Sequence, residues 1–265
     1  MADRGILQVN DLVKKYMLKR HWWNKPEEVT AVDHVSFAVC QGESFGLVGE
    51  SGCGKSTLAK MLVMLEEPDA GTVMFNGRCL SALKAEEQRL LRQELQIVWQ
   101  DSSQALNPRF CVQDALLEPL LNFGVSGAES SILDTLSMVG LSTKLLGRYP
   151  RELSGGERQR LSIARALILK PRMIIFDEAT TGLDATLQFR FLQLIKELKR
   201  EMELTYLVIT HNLELIPFIT DRFAVMRGGK IVEIRNSADA ACAEHPYTKS
   251  LWSAIPAHHP RLKKW

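Results

Sequence analysis

Hydrophobic positions along this chain change period several times, and the changes mark its elements. Leu7, Val9, Leu12 and Val13, then Val32, Val35, Phe37 and Val39, form short β-rich runs with rough alternation, which predicts antiparallel strands ahead of Gly49. The polar, proline-containing stretch 19–28 between them predicts a loop, whose Trp22 and Trp23 either stack on a ligand or partner or pin the loop to the body. Gly46-Leu47-Val48 has the small apolar character of the end of a buried strand, and 56–62 predicts a helix. Pro68-Asp69-Ala70-Gly71 predicts a turn, 71–77 a strand and turn of a returning hairpin, 83–91 a short helix, and 97–100 a buried strand ending in an amide.

From Asp101 to about Pro150 the pattern turns helical, at 115–121 and 131–139, with breaks expected at Pro119, Gly124, Gly127 and Gly140. Beyond it the spacing predicts a helix over 154–169, a strand over 172–176, a helix over 185–201 and a strand over 205–209. A helix after His211 and two strands, 222–226 and 230–233, around Gly228-Gly229 complete the series. Strands alternating with helices imply a mostly parallel sheet whose ligands bind beyond the carboxyl ends of its strands.

Composition adds exclusions. With 265 residues, 46% of them hydrophobic, the chain can bury a full core. A net charge of +2, from 33 basic and 31 acidic residues, makes no case for a nucleic-acid partner. No window approaches the roughly 18 apolar residues of a membrane span, and Met1-Ala2-Asp3-Arg4 does not begin a signal peptide. The expectation is a cytoplasmic protein that meets a membrane only through a partner. The 5 cysteines, at 40, 53, 79, 111 and 242, show no ligand spacing and read as reduced thiols.

Against this background Gly49-Glu50-Ser51-Gly52-Cys53-Gly54-Lys55-Ser56, followed by Thr57, matches the G-x-x-x-x-G-K-[ST] phosphate loop at every fixed position. A strand, a glycine-rich turn and a helix start aim successive N–H groups and the positive helix end at phosphate oxygens. Lys55 then reaches the β- and γ-phosphates and the Ser56 hydroxyl ligates Mg²⁺. Cys53 lies inside the loop, where the helix end and Lys55 could lower its pKa, or it is a buried thiol filling space.

Met173-Ile174-Ile175-Phe176-Asp177-Glu178 is an apolar run that delivers two carboxylates. Asp177 is suited to hold Mg²⁺ and Glu178 to polarise an attacking water; alone such a pair more often caps a following helix, but downstream of a phosphate loop the functional reading wins. In Leu153-Ser154-Gly155-Gly156-Glu157, Ser154 and Glu157 have capping-box spacing. Capping does not call for two glycines in the first turn, each costing roughly 1 kcal/mol. They make sense where another molecule approaches the backbone at an anion-binding helix end.

The order of these motifs, with Gln100, Thr181-Gly182-Leu183-Asp184 and His211, resembles the ATP-binding-cassette ATPases over nearly the whole chain. The resemblance implies an α/β fold: a P-loop NTPase core with a mostly parallel sheet, an antiparallel β-subdomain and an inserted helical subdomain. It implies one nucleotide-binding domain over 1–265, with the helical part at about 101–165 and a tail extension at about 235–265. Tyr16 would stack on adenine, and nothing but its position favours stacking over packing. Gln100 would join the metal site, with Ser56 and Asp177, to the transport partner. Glu178, His211 and Lys55 would act in catalysis, Ser154, Gly155, Gly156 and Glu157 would contact ATP held by the opposite subunit, and Asp184 would lie at the dimer seam.

The stretch from Gln100 to Arg109 and the tail His245-Pro246-Tyr247-Thr248-Lys249-Ser250-Leu251 resemble, more narrowly, the ATPase subunits of oligopeptide, dipeptide and nickel importers. That likeness implies ATP and Mg²⁺ as cofactors, with permease subunits and a second ATPase subunit, the same chain or a related one, as partners. An extracytoplasmic substrate-binding protein would act indirectly, and the cargo would be a peptide or chelated nickel. Glu157 replaces the usual signature glutamine and adds a negative charge near a triphosphate unless it turns back to cap the Ser154 N–H. Ala179 replaces a usual proline, and Cys242 alone in the tail leaves no four-cysteine cluster, so no iron–sulfur centre is expected. An alternative, a cassette ATPase acting on DNA or ribosomes, needs a long coiled-coil insertion or a second cassette, and the sequence contains neither. A kinase or GTPase would leave 153–157 unexplained.

Overall fold

The computed structural model describes residues 5–18, 27–100, 105–181 and 184–253. Two sheets organise them. Strands β1 (Leu7–Leu18), β2 (Glu27–Val39), β4 (Ala70–Phe75) and β5 (Arg78–Cys79) form an antiparallel sheet in the order β2-β1-β4-β5. The second sheet runs β10-β9-β3-β8-β7-β6, from β3 (Ser44–Val48), β6 (Leu95–Val98), β7 (Met173–Asp177), β8 (Thr205–Thr210), β9 (Arg222–Arg227) and β10 (Lys230–Asn236). Its pairings are parallel except β10 with β9. This is the mixed α/β architecture the sequence implied.

The patterning explains the layers. In β2, Val35, Phe37 and Val39 are buried while Ser36 is exposed, as in a sheet with one wet face. In β3, β7 and β8 every residue is buried, so alternation there selects between two cores rather than between core and water. Met173, Ile175, Leu207 and Ile209 face the layer shared with the antiparallel sheet and helix α1 (Lys55–Leu62). Ile174, Phe176, Tyr206 and Val208 face the opposite layer, where Phe176 meets Phe191 and Tyr206 edge-on at 5.7 and 5.3 Å. The imperfect alternation of β1 has a cause: the pairing slips between Val9 and Leu12, and Asp11 takes a left-handed backbone, φ 52°.

Helix α2 (Ala85–Glu94) leads directly into β6, later than the sequence pattern suggests. The helical insertion contains α3 (Val112–Phe123), α4 (Ala128–Met138) and the start of α5 (Gly155–Leu167), which pack a common core through Leu116, Leu120, Ile132, Leu136 and Leu161. The break expected at Pro119 does not occur. The residue is buried inside α3, where its missing N–H costs one intrahelical bond and its ring joins the packing. Helix α6 (Ala185–Met202) follows β7, and the helix expected after His211 shrinks to a 3₁₀ turn and the short α7 (Ile216–Ile219). The tail ends in α8 (Pro246–Ser253). No described helix is long and apolar enough to cross a membrane. Trp22, Trp23, residues 101–104, Gly182 and Leu183 lie outside the described residues.

Candidate functional site

The phosphate loop leaves the carboxyl end of β3 and opens α1, one residue earlier than the pattern predicts, with Gly54 in a left-handed backbone as its cap. The loop is wedged between β2 and β9. A Cβ on Gly54 would stand 2.0 Å from the Ala31 carbonyl oxygen, and one on Gly49 would stand 2.2 Å from that of Met226. Neither position tolerates a side chain, so the path of the loop is set by its neighbours as well as by its own turns.

Lys55 is almost fully buried, and its ammonium donates to the Gly49 and Glu50 carbonyls at 2.8 Å each. It lies 3.9 Å from Glu178 Oε1, and His211 Nδ1 lies 3.4 Å from Glu178 Oε2. These three residues, from three separate segments, meet at the ends of adjacent parallel strands. Glu178 itself adopts φ 48°, sparsely populated for a residue with a side chain, and is pinned there because its N–H donates to the Ile209 carbonyl and its own carbonyl receives the Thr181 N–H, both at 2.9 Å.

Two clefts flank this centre. One, of about 510 Å³, is lined by Gly49, Glu50, Ser51, Gln100, Glu178, Thr181, His211 and the tail residue Leu251. The other, of about 540 Å³, gathers Ser56, Gln100 and Asp177. Gln100 borders both. Asp177 is buried, and its Oδ1 has no hydrogen-bond partner. Burial pushes its pKa up, and Ser56, within hydrogen-bonding reach, opposes that. Such an orphaned carboxylate oxygen beside a hydroxyl and an amide is a donor set of hard oxygens, the kind that suits Mg²⁺.

The remaining predicted residues are placed apart. Tyr16 is half-buried, with its hydroxyl donating to Glu66 and lying near Thr57, and it lines neither cleft. Ser154, Gly156 and Glu157 line a third cavity, against Leu187 and Arg190 of α6. Asp184 caps α6, accepting the Thr186 and Leu187 N–H groups at 2.9 Å each.

Glu157 does turn back. Its carboxylate accepts the Ser154 N–H at 2.8 Å and the Ser154 hydroxyl at 2.7 Å, bonds that hold its pKa down. The unusual residue thus completes a capping box. A Cβ on Gly155 would meet nothing within 4 Å, so the fold does not itself demand glycine there.

Comparison with known proteins decides the family. A family model described as ABC transporter matches residues 32–181, more than half of the chain. The chain belongs to the ABC transporter family. The cassette is 42% identical over 258 residues to the putative oligopeptide transport ATP-binding protein YkfD of Bacillus subtilis, covering 95% of this chain and 78% of that one. It is likewise 42% identical over 245 residues to the oligopeptide transport ATP-binding protein OppF of Streptococcus mutans, covering 91% and 80%. Among solved structures it resembles the dimeric post-hydrolysis state of the ATP-binding cassette MJ0796 bound to ADP and Pi. There the TM-score is 0.77 and the identity 26%, over 87% of this chain and 98% of that one. The cassette is therefore an ATP-binding, ATP-hydrolysing subunit of an ABC transporter.

Cys53 departs from the reactive alternative. The cassette buries it, and burial pushes its pKa up from 9.0, a shift that Lys55 only partly offsets. The neutral thiol is thereby favoured over the thiolate, the opposite of what a reactive cysteine needs. In the folded protein a maleimide at pH 7 should label the exposed Cys242 well before Cys53. Labelling of Cys53 should speed up as pH rises toward 9. Peptide mapping by mass spectrometry checks this, and equal rates at pH 7 would refute it.

Proposed function

We propose that this chain is the ATP-driven motor of a peptide importer, a single nucleotide-binding domain working on the cytoplasmic face of the membrane through permease subunits. The observation that carries the reading is the convergence of the buried Lys55 and of His211 on Glu178, at a cleft that Glu178 and His211 line together with Gly49, Glu50 and Ser51 of the phosphate loop. In this reading Lys55 and the N–H groups of the loop hold the β- and γ-phosphates of ATP. Glu178 takes the proton of the attacking water, and His211 contacts the γ-phosphate and steadies the carboxylate. Ser56, Asp177 and Gln100 would hold Mg²⁺, which neutralises charge on the phosphate oxygens when bound. The buried, unpartnered Asp177 Oδ1 supports that assignment.

In the same reading Ser154, Gly155 and Gly156 complete the site of a second ATPase subunit, with Asp184 at the seam between the two. The open space at Gly155 and the dimeric form of MJ0796 support a head-to-tail pair. Tyr16 would flank adenine from the side of Thr57. Gln100, shared by the two clefts, would report nucleotide state to the permease.

Peptide is favoured over chelated nickel as cargo because the two relatives described above, each 42% identical, are named for oligopeptide transport. The same names favour import over action on DNA or ribosomes. An extracytoplasmic binding protein would deliver the cargo. Deleting the gene should abolish uptake of a labelled oligopeptide and leave nickel uptake intact, and the wild-type gene should restore it. Loss of nickel uptake alone would refute the cargo, and recovery of the chain with ribosomes rather than with membranes would refute the transporter role.

A further inference from the structure

The tail helix reaches the catalytic centre. Its entry is held by Glu233 of β10, whose carboxylate accepts the Glu244 N–H at 2.8 Å, the His245 N–H at 3.3 Å and the Arg235 Nε–H at 2.8 Å. Burial alone would raise the pKa of Glu233, but these donors, with Thr248, hold it down to about 2, so the anchor is charged at neutral pH. His245 Nδ1 then accepts the Tyr247 N–H at 3.2 Å and starts α8.

What α8 packs against is specific. Tyr247 is buried with Val48, Leu213, Ile216, Phe223 and Val225, and Trp252 meets Phe223 edge-on at 6.3 Å. Val48 is the last residue of β3, immediately before the phosphate loop, and Leu213 follows His211 closely. Leu251 lines the cleft that contains Glu178 and His211. One short helix thus braces both catalytic loops from behind.

Tyr247 carries the closest connection. The Arg227 guanidinium lies over its ring, 4.6 Å from the centroid. Its hydroxyl is buried against Glu50 of the phosphate loop, yet no hydrogen bond of standard geometry forms there. A buried hydroxyl without a partner is costly, and the groups in reach are those of Glu50.

We propose that Tyr247 is a positioning residue for ATP hydrolysis, its hydroxyl bonding Glu50 when the phosphate loop wraps ATP and tying the loop to the docked tail. The inference rests on the phosphate loop being the ATP site. Without this tie the loop still binds nucleotide, since Lys55, Ser56 and the loop amides remain. The γ-phosphorus, however, is held less well against Glu178 and His211, and chemistry is more sensitive to such misplacement than binding is.

Tyr247→Phe is the test, because it removes only the hydroxyl and keeps the ring under Arg227. In the purified ATPase with its permease subunits, kcat should fall by about five-fold with the KM for ATP and the melting temperature unchanged. With ATP bound, amide exchange should quicken at 49–54 while α8 keeps its protection. Tyr247→Ala, which also empties the ring's place in the core, should lower both kcat and the melting temperature. Wild-type kcat in Tyr247→Phe overturns the proposal. So does a fall in kcat accompanied by lost protection across α8, which would report an undocked tail. Glu178→Gln and Lys55→Ala measured alongside separate the two levels of failure. If both hydrolyse normally, the ATP site itself is misassigned and the proposal falls with it. If both are inactive and Tyr247→Phe is normal, only the role of Tyr247 is refuted.

Discussion

Glu178→Gln should bind ATP at least as tightly as wild type and hydrolyse it roughly 100-fold or more slowly, the loss expected for a positioned base. The substitution keeps the size of the side chain and its acceptor oxygen, so the Thr181 and Ile209 backbone bonds that hold residue 178 need not change. It removes basicity, and it also removes the negative charge 3.9 Å from Lys55 Nζ and 3.4 Å from His211 Nδ1. Lys55 then has one competitor fewer for phosphate oxygens, which is why affinity should hold or rise. If each ATP is sandwiched between one subunit's phosphate loop and the other's Ser154–Gly156 segment, an uncleaved nucleotide should also keep the pair closed. Sedimentation with and without ATP, on the chain alone or with a related ATPase, reads that out beside phosphate release. Hydrolysis at the wild-type rate would remove Glu178 from the catalytic role. ATP binding without any association, even with the partner subunit present, would count against the head-to-tail pair.

Local structure was legible in the sequence. The phosphate loop, the apolar strand ending in Asp177 and Glu178, and the Ser154 to Glu157 capping box each need only a few consecutive residues, and each forms where its pattern stands. Properties that depend on three-dimensional surroundings were not legible. Proximity to Lys55 and a helix end suggests a lowered pKa for Cys53, but the sheets and helix around it bury the thiol, and desolvation outweighs both. The left-handed backbone of Glu178 leaves no trace in a run of apolar residues, because it is imposed by Ile209 and Thr181. Pro119 reads as a helix breaker by propensity, yet packing of α3 in the helical insertion overrides it.

The tail shows the same limit more sharply. His245-Pro246-Tyr247-Thr248 was visible as a marker shared with a subgroup, without any chemistry of its own. Only the folded chain brings Leu251 into the cleft of Glu178 and His211, and Tyr247 against Glu50. Strand β10 is the edge strand of its sheet, and Glu233 in its middle gathers the returning backbone through contacts 11 and 12 residues away. No periodicity signals such a capture, because its donors are main-chain N–H groups that every residue but proline carries.

Lys55→Ala should abolish hydrolysis and weaken ATP binding by roughly 10- to 100-fold, the range for loss of one strong charge-assisted contact to phosphate. Two effects are combined in that substitution. In the proposed site the ammonium supplies positive charge to the phosphates, and in the structure it also ties the Gly49 and Glu50 carbonyls together at 2.8 Å each from a nearly buried position. Alanine loses both and leaves a void beneath the loop. Lys55→Met fills most of that void with an apolar stem and still lacks the charge, whereas Lys55→Arg keeps the charge on a larger head. If charge at the phosphates dominates, Lys55→Met should bind ATP as poorly as Lys55→Ala while melting closer to wild type. If bracing of the loop dominates, Lys55→Met should recover affinity along with stability. Calorimetric titration with ATP and thermal melts on the same three proteins separate the two. A folded Lys55→Ala that binds ATP at wild-type affinity would remove Lys55 from the nucleotide site altogether.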